Sequence, residues 1–87
     1  MKKIGLIGGM SWESSQIYYE IINEKVREKL GFHSSKCVME SVDFAEIEKL
    51  QHTDNWNALN KIMVESAKNL EKAKAEIIIL CKYDALM

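Results

Sequence analysis

The sequence predicts an α/β fold: a three-stranded parallel sheet in the order 2-1-3 with helices on both faces. Two observations carry this. Short β-branched apolar runs alternate with longer stretches whose apolar residues recur at helical spacing. The connections between the runs are long enough to hold crossover helices, as parallel strands require. Right-handed crossovers then leave few topologies, and they put the first helix on one face and the long third helix on the other.

The elements follow in order. Lys3 to Gly8 is a buried strand stopped by Gly8-Gly9. Ser11 offers an N-cap and Glu13 suits the helix dipole. Ile17, Tyr18, Ile21, Ile22, Val26 and Leu30 then form one apolar stripe, predicting a helix from Trp12 to Leu30 with Gly31 as its C-cap. Lys36 to Val42 reads as a second strand. Asp43 can cap a short helix carrying Phe44, Ile47 and Leu50. Thr53 or Asp54 can cap the next, whose stripe of Trp56, Leu59, Ile62, Met63, Ala67, Leu70 and Ala73 is the most amphipathic in the chain. Glu76 to Cys81 is a third strand, and its unbroken apolar run implies burial on both faces.

At 87 residues the chain forms one domain with a thin stability margin. A net charge of −1 gives no electrostatic case for nucleic acid or anionic lipid. The apolar run after Met1-Lys2-Lys3 is too short for a signal-peptide core or a membrane span, so the expected location is the cytoplasm. Two cysteines are too few for a disulfide scaffold, and both are expected to be reduced and buried. His33 and His52 have no metal-like spacing with them and read as loop residues, so no metal site is expected. Trp12 and Trp56 read as packing residues in first helical turns.

Two places could carry chemistry. Gly8-Gly9-Met10-Ser11 joins the first strand to the first helix, where α/β sheets bind ligands and a helix N-terminus favours an anion. It matches neither a dinucleotide fingerprint nor a Walker A loop. A plain tight turn, a small-carboxylate site and a nucleotide site all remain open. Cys81 ends the third strand at the same edge. It is either a buried structural cysteine or a thiol made reactive by a helix N-terminus or cation.

The stretch from Met1 to Ser15, with Gly8-Gly9-Met10-Ser11-Trp12-Glu13-Ser14 at its centre, closely resembles the start of the aspartate/glutamate racemase family. It is most similar to the branch that includes broad-specificity amino-acid racemases. The resemblance continues through Tyr18-Tyr19, Ile22-Asn23-Glu24, His33-Ser34, Ser41-Val42-Asp43-Phe44, Glu46-Ile47-Glu48, Gln51 and Trp56 to Leu80-Cys81. It implies two similar α/β domains with the active site between them, and chemistry without pyridoxal phosphate, metal or nucleotide. One acid/base residue from each half faces the substrate's α-carbon. The pair is usually two cysteines, the first being threonine in some members of the branch. An α-proton is weakly acidic, so such a site needs a strong base and stabilisation of the developing carbanion.

By the same resemblance Met10 lines the substrate pocket and Gln51 contacts substrate; Ser11 is a further substrate-binding candidate from its place in the same turn. The family pattern after the third strand is C-T-N-T-M-H. This chain reads Cys81-Lys82-Tyr83-Asp84-Ala85-Leu86, so the acid/base position falls on Lys82 rather than Cys81. The resemblance thus implies an incomplete N-terminal racemase domain over residues 1–81, a divergent tail over 82–87, and truncation or a shifted frame after Cys81. Three readings stay open: an inactive or weakly ligand-binding racemase fragment, a non-enzymatic module that self-associates through an exposed sheet edge, and an enzyme assembled from two copies. The ligand in the first is a small amino acid or carboxylate.

Overall fold

The computed structural model describes residues 1–81. It contains β1 (Lys3–Gly8), α1 (Trp12–Leu30), β2 (Lys36–Ser41), α2 (Phe44–His52), α3 (Trp56–Lys72) and β3 (Ile77–Leu80). The sheet is parallel throughout and ordered β2-β1-β3, as the alternation of elements requires. Ile4 stands opposite Cys37 on one side and Ile77 on the other, and Ile7 stands opposite Glu40 and Leu80. Each ladder gains a bond beyond its strand: Val42 N–H donates to Gly8 O (2.8 Å), Cys81 N–H to Ile7 O (2.9 Å) and Glu76 N–H to Lys3 O (2.8 Å).

Alternation along β1 assigns the two faces. A side chain at Gly5 would press on Leu70 of α3 and Ala75, and one at Gly8 would press on Ser15 of α1. The helices therefore cover opposite faces. On the α3 face, Ile7 and Leu70 are buried, with Leu59 buried elsewhere on α3. On the α1 face, Leu6 and Cys81 lie beneath the small buried residues Ser14 and Ser15. Ile47 is the one buried residue of α2. At the opposite edge of the sheet, the Lys3 ammonium donates to Ala73 O (2.6 Å), tying the first strand to the end of α3.

The structure corrects several expectations. The α1 stripe is only partly buried: Ile17, Ile21 and Leu30 are 39%, 50% and 51% exposed. The helix meets the sheet through Ser14 and Ser15, and Tyr18, Ile22 and Val26 continue that line half-buried. Asn23 lies on the β2 flank, where its Oδ1 accepts from Ser35 N–H (2.9 Å). Ile17 and Ile21 point to the opposite flank, toward β3. β3 is not buried on both faces. It is the edge strand, and Ile77 and Ile78 are 43% and 41% exposed on its two sides. Trp12 and Trp56 are each more than half exposed, so neither is a packing residue of the core.

Local caps also differ. Asn55, not Thr53 or Asp54, caps α3, its side chain accepting from Ala58 N–H (3.3 Å). Thr53 instead closes α2, and Asp54 takes φ 55°, which carries the chain into the cap. Asp43 occupies the N-cap position of α2 without a side-chain cap bond. Gly31 ends α1 at φ 72° as expected. His52 is the last residue of α2 rather than a loop residue, 3.8 Å from Glu48. Cys37 is half-buried and Cys81 fully buried, and no disulfide joins them.

Candidate active site

Because all three strands run the same way, their carboxyl ends share one edge of the sheet. Three segments leave the sheet there: Gly9-Met10-Ser11 after β1, Val42-Asp43 after β2, and Cys81 after β3. The first is held by close backbone approach. Gly9 has φ 94°, and a Cβ at that position would collide with Val42 O and come within 2.7 Å of Ser41 Oγ. No L side chain fits, so the second glycine is dictated by geometry.

Ser11 turns the chain into α1. Its extended backbone (φ −153°, ψ 105°) places its Oγ to accept from Ser14 N–H (3.5 Å) and from the Ser14 hydroxyl (3.3 Å). Its own hydroxyl donates to the Glu13 carboxylate (3.3 Å). The N–H groups of Trp12 and Glu13 lie ahead of the first intrahelical bond, so the turn presents donors toward the edge. Met10 and Ser11 are half-buried beside them. The arrangement suits a small anion held by backbone N–H groups, with Glu13 setting a charge limit on what enters.

Cys81 sits on the α1 face, with no exposed surface, against Ser15. Burial pushes its thiol above the ordinary value. A hydrogen bond from Ser15 opposes that shift, and the Cys37 thiol on the same face adds to it. Such a thiol is protonated at neutral pH, which favours the structural reading over the reactive one. Cys37 is likewise raised by burial.

The structure brings Met10, Ser11 and Cys81 to one edge. Gln51 lies apart from them: it is exposed near the end of α2 and lines a shallow depression of about 420 Å³ with Phe44, Glu48 and His52. Neither Met10 nor Ser11 lines it. Lys82 lies outside the described residues. Two features escaped the sequence reading. One is a depression of about 270 Å³ beyond β2 whose lining includes Glu40, Asp43, Glu46 and Glu65, with Asn69 Nδ2 donating to Glu40 (3.2 Å). The other is Ser15, whose spacing of four from Ser11 was the only hint that its hydroxyl returns to the turn.

The comparisons with known proteins agree with the fold. The family model for Asp/Glu/hydantoin racemases matches residues 7–86. A crystal structure of a candidate Asp/Glu racemase from Yersinia pestis superposes with a TM-score of 0.92 at 47% sequence identity, over 94% of this chain and 36% of that one. An aspartate racemase homologue from Pyrococcus horikoshii OT3 superposes with a TM-score of 0.83 at 36% identity, over 98% of this chain and 37% of that one. The chain thus spans little more than a third of the length of these structures. With four-fifths or more of its residues aligned in sequence and backbone, the chain belongs to the Asp/Glu/hydantoin racemase family.

Proposed function

We propose that this chain supplies one half of a cofactor-independent amino-acid racemase site and does not racemise substrate by itself. The observation that carries this reading is the continuous family match from residue 7 to 86, which includes the turn at the carboxyl edge of β1. In this reading residues 1–81 are the binding half, and residues 82–87 depart from the family's C-T-N-T-M-H pattern although the family match runs on to residue 86. The Gly9-Met10-Ser11 turn holds the carboxylate of an aspartate- or glutamate-like substrate through α1 N–H groups. Met10 packs on the substrate, and Gln51 reaches it once α2 is drawn toward the edge.

Racemisation requires a base on one side of the α-carbon and an acid on the other. This chain offers the position after β3, where Lys82 stands, and a desolvated lysine can act as a base. The opposing group must come from chain beyond these residues. No helix among the described residues is long and apolar enough to cross a membrane, and we place the protein in the cytoplasm.

The test is deuterium exchange. The chain is incubated with L-aspartate and L-glutamate in heavy water and the α-proton is followed by NMR. No exchange is expected, whereas amide shifts at Gly9, Met10 and Ser11 should respond to the amino acid. Exchange by the isolated chain would overturn the inactive reading, and silent amides would overturn the binding one.

A second reading rests on the edge strand. β3 exposes Ile77 on one side and Ile78 on the other, and Ile17 and Ile21 of α1 are exposed as well. Two copies pairing their β3 edges would bury these side chains and form one six-stranded sheet. This reading makes the chain a non-enzymatic self-associating module.

A further inference from the structure

We propose that the crevice between β2, α2 and α3 binds a short alkyl diammonium, a chain with a cation at each end. The site uses none of Met10, Ser11, Gln51 or Lys82, and it does not rest on the racemase reading.

The crevice is the depression of about 270 Å³ beyond β2. Glu40 near the end of β2, Asp43 at the N-cap of α2, Glu46 in its first turn and Glu65 on α3 bring four carboxylates to its walls. None of the four is in an ion pair: the ion pairs among the described residues are Lys25–Glu28 and Glu48–His52. Lys61 and Lys68 share α3 with Glu65 but line a separate depression with it. Asp43 makes no side-chain cap bond, so its carboxylate is not engaged by α2. Glu40 is held in place, its Oε1 accepting from Asn69 Nδ2 (3.2 Å), which leaves Oε2 for a ligand. Like charges lining one small space repel each other, and a cation between them removes that cost.

The carboxylates alone would mark only an acidic surface. Ser66 adds a separate sign of a ligand. It is 5% exposed and lines the same crevice, and its hydroxyl makes no hydrogen bond among the described residues. Buried hydroxyls are ordinarily hydrogen-bonded, and in a helix the carbonyl one turn back is the usual partner. An ammonium brings three donors, enough for Ser66 Oγ and two carboxylate oxygens. No group of three Asp, Glu, His or Cys among the described residues is arranged to hold a metal ion. The carboxylates come from three elements and do not converge on a point, so they match charge spread along a chain. Val42 and Ile62, both half-buried, line the crevice as well and give the methylenes apolar surface to lie on.

The test titrates 1,4-diaminobutane into the 87-residue chain at neutral pH. Amide NMR should show saturable shifts at Glu40, Asp43, Ser66 and Asn69. The thermal midpoint should rise with diamine concentration, as binding to the native state requires. The uncharged 1,4-butanediol should do neither. Glu40→Gln with Glu65→Gln relieves the repulsion, so this variant should unfold at a higher temperature by itself and bind the diamine about fivefold more weakly. Asp43→Asn, at an exposed position, gives the same reading should the double variant not fold. Ser66→Ala keeps all four charges and should still weaken binding, which separates a built site from general attraction. Absence of saturable shifts overturns the proposal. So does an equal response to magnesium chloride at the same concentration, or unchanged affinity in the folded carboxylate variants. None of these readouts uses racemisation, so the deuterium test and this one fail separately.

Discussion

Single residues decide the site more than any long-range effect. Gly9 is the sharpest case, since both its positive φ and the nearness of Val42 O exclude a side chain. Gly9→Ala should cost at least about 2 kcal/mol, combining strain with displacement of the β2 end. Urea denaturation measures it, and a loss below a few tenths would contradict the geometry. The buried thiol makes a second prediction. Cys81 has its pKa raised by burial above 9.0, so the native state holds its proton longer than the unfolded state does. Stability from this source is full below the unfolded value and falls as pH rises through the folded one. The denaturation midpoint should therefore drop above about pH 9, and Cys81→Ala should flatten part of that drop. The sequence made Cys81 visible as a strand end but not as a fully buried group, because nothing in a run of apolar letters reveals that a serine hydroxyl waits beneath it.

At the scale of elements, the caps were the weakest part of the sequence reading and the strand and helix cores the strongest. β1 and α1 match their expected spans because glycines and a serine punctuate them without competition. Between α2 and α3, Thr53, Asp54 and Asn55 all have cap chemistry, and only the backbone path selects Asn55. Asn55→Ala should destabilise the chain by about 1 kcal/mol, while Thr53→Ala should leave the start of α3 unchanged; helix content by circular dichroism and denaturation midpoints separate the two. Leu70 is the pivot of α3, 1% exposed against Gly5 of β1. Leu70→Ala should cost about 2–5 kcal/mol and unfold much of the population at room temperature. The α1 stripe was misjudged for a physical reason: periodicity finds the apolar side of a helix, but how much is covered depends on the neighbours, and β3 is the last strand on that side.

For the whole molecule, the contrast is between a slight core and a broad apolar surface. Among the described residues the buried hydrophobic set is Leu6, Ile7, Ile47, Leu59, Leu70 and Cys81, fewer than the large apolar side chains left exposed. A core this small supports a stability of no more than about 5 kcal/mol. The same surface makes association concentration-dependent. Ile78→Lys puts a charge on the edge strand and should shift a dimer toward monomer in light scattering, whereas a clean monomer in the parent chain would remove the self-association reading. The topology was legible because connection lengths and handedness leave little choice. Which surfaces stay open was not, since that depends on what lies against them in space.

The tie between Lys3 and Ala73 places one further demand on the chain. Of these six elements the central strand is made first, yet its second neighbour is made last. While β3 is still inside the exit tunnel, Leu6 and Ile7 have one strand beside them instead of two. Closure of the sheet is therefore a late, non-local event, with a loop of about seventy residues to bring together. A nascent chain in this interval presents its central strand to chaperones, and slowing translation before Ile77 would lengthen that exposure rather than relieve it.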